Sequence, residues 1–290
     1  MLKTPLPYQL LDSGEGRKLE LVGDILIDRQ SPTAVWKQHL PKTEWKKAMA
    51  VHHRSEKGEG RWEYRQKVLE SWNTLHGKLK LKCKLTGFGH LGFFAEVADQ
   101  WAWMRNEIPR LNEKKNSQIK LLNLFGYTGG SSISSALAGA HVTHVDAAHG
   151  VVDWGKEIAT ANEVPADSIR WIVDDCLVFV KREIRREKKY DGFIMDPPSF
   201  GRGPKKEVWK IEEHILELLE ALKLISEKQL SLLHFSSHTP GFTPEVLKNL
   251  VQDHFEVAEM KLEQGEMLIP ESGKRTRSLP SGTFVRATRI

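Results

Sequence analysis

Cysteine is nearly missing from this chain: Cys83 and Cys176 are the only two in 290 residues. Two distant cysteines give neither a disulfide framework nor the paired spacing of a zinc site. A reducing cytoplasm is therefore the expected compartment. Long apolar runs are missing as well. No stretch approaches the ~20 residues needed to cross a bilayer, and Met1–Pro7 lacks the apolar centre of a signal peptide, so no membrane association is expected. His52-His53 has no companion ligands in the sequence, so no metal site is expected and both histidines are expected to face solvent. Internal repeats and low-complexity segments are also lacking. What is present is ordinary for a globular protein, 40% hydrophobic and 28% charged residues. The length suits one large domain and a smaller one. A net charge of +5 permits a polyanionic partner without requiring one.

From about Ile119 onward, short apolar runs alternate with longer helical ones, the signature of an α/β fold with a parallel sheet. Strands are expected at Ile119–Phe125, His141–Asp146, Ile169–Asp174, Tyr190–Met195 and Leu230–Ser236. Glu256–Glu263 and Thr283–Thr288 follow as a closing antiparallel hairpin, giving a seven-stranded, Rossmann-like sheet. Helices fall between them at Ser131–Ala138, Val151–Asn162, Glu207–Ser226 and Thr243–Val251. In Glu207–Ser226, residues Ile211, Ile215, Leu218, Leu219 and Leu222 recur on one face. The first eighty residues differ. Leu19–Asp28 and Lys78–Leu85 alternate like strands, and the stretch between is rich in Trp, Lys, Arg and His. The expected division is a small strand-containing domain at 1–85 and a larger domain at 86–290. Residues 86–118 form a leading helix (Gly92–Glu107) and a hydrophilic linker.

Asn123-Leu124-Phe125-Gly126-Tyr127-Thr128-Gly129-Gly130 reads as a strand entering a glycine-rich turn, with a helix pattern behind it. Glycines there let the backbone approach a ligand and present N–H groups at a helix start, although any tight β-to-α turn favours glycine. Carboxylates at the ends of the next two strands add weight. Asp146 closes the second strand, where a carboxylate accepts ribose hydroxyls. Asp174-Asp175 closes the third, in reach of an adenine amine. The loop lacks GxGxxG spacing and the chain lacks a second nucleotide-binding half, which counts against a dinucleotide fold. After the fourth strand comes Asp196-Pro197-Pro198-Ser199-Phe200. Two prolines remove two N–H donors and leave carbonyl acceptors. The acid before them and the ring after them suit an amine on a planar base. A strand simply stopped by proline is the plain alternative. The upstream loop and carboxylates favour an adenosine cofactor, and S-adenosylmethionine fits best.

Together these elements resemble class I S-adenosylmethionine-dependent methyltransferases, in particular the bacterial 23S rRNA base-methyltransferase family that makes 5-methylcytosine or 7-methylguanine. The resemblance runs from about Gly87 to the C-terminus. It rests on Gly92-Phe93-Phe94, Asn123–Gly130, Asp146, Asp175, Asp196–Phe200 and Phe235-Ser236-Ser237-His238. It implies that Asn123, Phe125, Gly126, Tyr127, Thr128 and Gly129 surround the methionine end of the cofactor. Asp146 would hold the ribose and Asp175 the adenine, with Asp196, Pro197 and Phe200 at the substrate base. Two departures stand out. Ser237 occupies the place of the nucleophilic cysteine of the cytosine-methylating members, and a hydroxyl is a far poorer nucleophile than a thiolate. A nitrogen target is therefore expected rather than cytosine C5. Val97 stands where related chains often carry Gln.

Pro198 and Ser199 complete the expected base site. The loop Gly201–Lys206, with Arg202, Lys205 and Lys206, leaves directly from it. Gly273–Ser278, with Lys274, Arg275 and Arg277, is expected on the same edge, placing six cations to meet phosphates. Lys181–Lys189 precedes a strand and is expected to be a solvated helix end on the opposite edge. Trp36, Trp45, Trp62 and Trp72 are interleaved with basic side chains, a mixture that suits RNA, yet core packing is the commoner use of tryptophan. The expectation is an enzyme acting on a base in RNA, with 23S rRNA or a ribosomal precursor as partner. The rivals are a DNA amino-methyltransferase, a methyltransferase for protein or small molecules, and an RNA-binding module that keeps the cofactor fold without turnover.

Overall fold

The computed structural model describes residues 5–55, 60–205, 207–273 and 277–290; Lys206, Lys274 and Arg275 lie outside them. Two units are distinguished: Met1–Ala98 with Leu268–Ser281, and Asp99–Met267 with Gly282–Ile290. The expected boundary at 85 thus falls inside the first unit, which also takes in the tip of the C-terminal hairpin.

The first unit is built from short strands. β1 (Gln9–Gly14), β2 (Arg17–Val22), β3 (Ile25–Gln30), β4 (Ala50–Arg54) and β5 (Gly60–Tyr64) form one sheet in that order, and the one-turn helix α1 (Lys42–Trp45) precedes β4. β6 (Trp72–His76) and β7 (Leu79–Cys83) form a separate hairpin. The run Leu19–Asp28, expected as one strand, is two. Gly23 breaks it at φ +66°, and a Cβ there would stand 2.6 Å from the Asn73 carbonyl oxygen. Charge is buried in pairs. Glu20 is fully buried and accepts two hydrogen bonds from Arg29 at 2.7 Å and one from the Tyr8 hydroxyl at 2.8 Å. Trp45 and Trp72 are core residues; the indole N–H of Trp36, Trp45, Trp62 and Trp72 donates to Ser13, Asp12, Thr86 and Val22 respectively. Trp36 and Trp62 are half-buried. His52 is buried, against expectation, tilted on Trp62 with its ring in the space left by Gly60 and Gly89. His53 is exposed beside Glu63.

The second unit follows the alternation read from the sequence. The long helix α2 (Ala98–Lys115) leads into β8 (Lys120–Leu124), α3 (Gly130–Leu137), β9 (His141–Asp146), α4 (His149–Ala161), β10 (Ile169–Val173), α5 (Cys176–Arg185) and β11 (Gly192–Met195). A small hairpin, β12 (Phe200–Arg202) with β13 (Val208–Lys210), precedes α6 (Ile211–Ile225), β14 (Leu232–Ser237), α7 (Pro244–His254), β15 (Met260–Pro270) and β16 (Ser278–Arg289). The helix expected from Glu207 therefore starts at Ile211, because Val208–Lys210 is paired in the hairpin. The sheet order is β10-β9-β8-β11-β14-β16-β15, parallel through β14, with β16 antiparallel to it.

Burial explains the strands. All four residues of β11 and all six of β14 are buried, as a parallel sheet covered on both faces requires. The stripe on α6 buries Ile211, Ile215, Leu218, Leu219, Leu222 and Ile225 against Phe179, Phe193 and Phe235. Each such side chain contributes about 1.5–3 kcal/mol relative to exposure. The chain grows outward from β8 to β9 and β10, then returns to place β11 on the other flank of β8. That reversal makes the ends of β8 and β11 a switch point, where loops diverge and leave a crevice.

Candidate active site

The two loops singled out in the sequence leave from neighbouring strands. Leu124 and Met195 are register partners at the ends of β8 and β11, so the glycine-rich turn and Asp196-Pro197-Pro198-Ser199-Phe200 start side by side. In the turn, Phe125 (φ +55°) and Tyr127 (φ +51°) hold left-handed backbone conformations, as does Gly129 (φ +82°). Such angles in aromatic residues cost on the order of 1–3 kcal/mol and persist only where the surroundings enforce them. Gly129 precedes α3. Its Cβ would meet Trp171 at 2.9 Å, and one on Gly126 would meet His144 at 2.4 Å. The loop is thus seated on a floor of His144 and Trp171, whose rings lie 4.6 Å apart.

Beneath the loop, Asn123 is buried and donates to Ser132 Oγ at 2.7 Å, and Ser132 Oγ lies 3.0 Å from His144 Nδ1. Asn123 and Thr128, expected around the methionine end, are both buried. Burial holds the His144 imidazole down at about 3, so the ring is neutral. Asp146, at the end of β9, fastens the loop. Its Oδ2 accepts from Tyr127 N and its Oδ1 from Ala148 N, both at 2.9 Å. Burial pushes its carboxyl up, and these backbone N–H groups pull against that. Ala147 N–H adds to them, and the carboxylate still has room for a further donor.

Asp174 and Asp175 divide two tasks. Asp174 pairs with Arg182, whereas Asp175 caps α5, its Oδ1 accepting from Val178 N at 2.9 Å. The other oxygen of Asp175 has no hydrogen-bond partner among the described residues and is not sealed from solvent. Cys176, next in sequence, is buried with Sγ accepting from Phe125 N at 3.3 Å, and burial pushes its thiol well up. Cys83 is likewise buried, its thiol pushed up to about 12. Neither is poised as a nucleophile. Ser237 is buried too, its Oγ accepting from Thr239 N at 3.1 Å.

At the end of β11, Pro197 is buried while Pro198, Ser199 and Phe200 are exposed; the Phe200 ring is 55% exposed. Trp209 from β13 donates its indole N–H to the Pro198 carbonyl at 2.8 Å and lies 4.7 Å from the Phe125 ring. The Pro198 oxygen, expected to be unpaired, is thus engaged. Trp209 ties the proline loop to the glycine loop and escaped sequence reasoning, because it fell inside an expected helix. Asp196 is half-buried, and its Oδ1 lies 3.4 Å from His238 Nδ1. Burial raises its carboxyl, but His238, Ser236 and His234 outweigh that and hold it below the ordinary range. Arg202 and Lys205 are exposed on the small hairpin. Arg277 lies in the first unit, where it donates to Asp12 at 3.0 Å and Glu271 at 2.8 Å and lies over Trp36.

The profile of the S-adenosylmethionine-dependent methyltransferase family matches residues 42–247, and the chain belongs to that family. A SAM-dependent methyltransferase from Agrobacterium tumefaciens, known from its crystal structure, is 33% identical with a TM-score of 0.89. The match covers 98% of this chain and 91% of that one. Ribosomal RNA large subunit methyltransferase K/L of Shewanella sp. strain MR-4 is 31% identical over 144 residues, which is 49% of this chain and 19% of the relative. Its counterpart in Shewanella pealeana is 27% identical over 228 residues, 76% of this chain and 28% of the relative. The chain spans less than a third of the length of these two curated relatives. Among the described residues no helix is long and apolar enough to cross a membrane, and no cluster of three or more His, Cys, Asp or Glu is arranged for a metal.

Proposed function

We propose that this enzyme methylates a nitrogen of a base in RNA, with 23S rRNA or a ribosomal precursor as the foremost substrate. The observation that carries the reading is Phe200, an exposed ring that follows Asp196 by four residues at the switch point of a methyltransferase sheet. An exposed aromatic beside an acceptor suits a base drawn out of its stack. Distant kinship to proteins named as large-subunit rRNA methyltransferases supports RNA over other polymers.

The residues present fit S-adenosylmethionine. Asp175 keeps a carboxylate oxygen for the adenine amine, Asp146 retains acceptor capacity for ribose hydroxyls, and the start of α3 at Gly130-Ser131 offers backbone N–H groups to a carboxylate. When bound, the cofactor supplies a methyl already activated by its sulfonium, so the protein's contribution is chiefly alignment. Phe125, Gly126 and Tyr127 shape the methionine side. Asp196 and the Pro197 carbonyl accept from the base, and Phe200 stacks on it. Arg202 and Lys205 meet phosphates next to the target.

Mass spectrometry of nucleosides from total RNA of cells with and without the gene tests this. Loss of one N-methylated nucleoside from rRNA supports the reading. An unchanged RNA profile with a methylated base missing from DNA would sink it, as would a missing 5-methylcytosine.

A further inference from the structure

We infer that His238 accepts the proton released in the reaction, and that the methylated atom is a nitrogen bearing hydrogen, either an exocyclic amine or a ring N–H. This assignment rests on the base-methylation reading above and narrows it to one chemical class of target.

His238 stands beside the Asp196 carboxylate at the end of β14. Its Nδ1 lies 3.4 Å from Asp196 Oδ1. That oxygen is buried and, apart from this approach, has no hydrogen-bond partner among the described residues. Two further links join the same loops: Ser199 Oγ lies 2.8 Å from Thr239 Oγ1, and Ser236 Oγ donates to the Met195 carbonyl at 3.4 Å. The site for the ring also depends on Gly282, where a Cβ would come within 3.1 Å of His238 Cδ2. About a third of the His238 side chain remains open to solvent (34%), in contrast to His234 two strand positions behind Ser236, which is sealed. The pair is therefore reachable from the crevice.

Methyl transfer to a neutral N–H nitrogen must shed a proton. The nitrogen lone pair forms the N–CH3 bond while the C–S bond breaks and its electrons return to sulfur, leaving a neutral thioether. The nitrogen is then cationic and acidic. Its proton passes to the His238 imidazole, and the Asp196 carboxylate, with Oδ1 3.4 Å from Nδ1, stabilises the imidazolium. Asp196 itself is a weak base, since its neighbours keep it ionised. An imidazole beside an ionised carboxylate is the better proton acceptor of the two. Charged and titratable groups face the pair from the neighbouring strands. β14 supplies His234, buried and held at about 4; β16 supplies Arg286, paired at 2.6 Å with Glu263 of β15. Met267 and Gly282 add no charge.

Two measurements on the full chain test this. In cofactor-free protein labelled with 15N-histidine, NMR should show His238 titrating, and Asp196→Asn should shift its midpoint downward; an unmoved midpoint overturns the pairing. Single-turnover transfer of labelled methyl from S-adenosylmethionine to RNA lacking the modification should rise with pH through the histidine range. His238→Gln should lower the rate at least tenfold and abolish that rise, and added imidazole should restore part of the rate in His238→Ala. Gly282→Ala, whose Cβ would crowd Met267, the Ser237 carbonyl and the His238 ring, should lower the rate as well. A His238→Gln enzyme that keeps the rate and profile overturns the proposal, and so does a product methylated on carbon or on a ring nitrogen left positively charged. If RNA takes no label but DNA or protein does, the RNA reading falls alone, and the same profile on that polymer decides the role of His238.

Discussion

At the scale of single residues, the site is a set of small backbone and side-chain choices that only make sense together. Gly129 is the sharpest. Its left-handed φ of +82°, and the Trp171 ring 2.9 Å from where a Cβ would sit, leave no room for alanine without moving the floor of the loop. Gly129→Ala should destabilise the protein by about 1–3 kcal/mol and weaken cofactor binding, read by urea denaturation and by isothermal titration with S-adenosylhomocysteine. Phe200 is the converse case, since its ring is exposed and little of the fold depends on it. Phe200→Ala should leave the melting temperature nearly unchanged while weakening substrate RNA binding by about 1–3 kcal/mol, measured by filter binding. Equal RNA affinity in both proteins would remove the stacking role. The sequence showed both residues but not their neighbours. Trp209 and the seat beneath the glycine loop are made by side chains far apart in the chain, and no local spacing encodes that.

Among the elements, α5 carries two duties at the residue that caps it. Asp175 holds the helix start through one oxygen and leaves the other accessible. Asp175→Ser should keep the cap and lose the second acceptor, so that stability holds while cofactor affinity drops. Asp175→Ala should lose both, with about 1 kcal/mol of stability gone. Thermal melting and cofactor titration of the two variants separate the duties. The strands of the large sheet were legible because they are buried on both faces and read as apolar runs; His141–Asp146 was placed to the residue. The small hairpin of β12 and β13 was not, because its strands are three residues long and mostly exposed. In the first unit only fragments were read, since ion pairs such as Glu20 with Arg29 place charge where alternation predicts apolar side chains.

For the molecule as a whole, buried ionisable groups predict how stability follows pH. Burial lowers His144 to about 3 and His234 to about 4, against about 6.5 in an unfolded chain. Below about 6.5 the unfolded chain takes up protons that the folded one refuses, so stability falls with pH from there toward 4. Glu20 acts lower. Burial would raise it, but Arg29, Lys18 and Tyr8 hold it at about 2, so its contribution stands above the ordinary carboxyl range and is lost as pH drops through it toward 2. Urea midpoints should fall between pH 7 and pH 5, and His234→Leu should flatten part of that fall; a midpoint that rises on acidification would contradict the assignment. The way the hairpin tip Leu268–Ser281 joins the N-terminal unit bears on biosynthesis. Arg277, which neutralises Asp12, is synthesised 265 residues after it, so the N-terminal portion of this unit waits for that much further chain before its buried charge is closed. No single cut can release that portion whole, and a fragment ending at Ala98 should be more readily digested by protease than the same residues within the full chain.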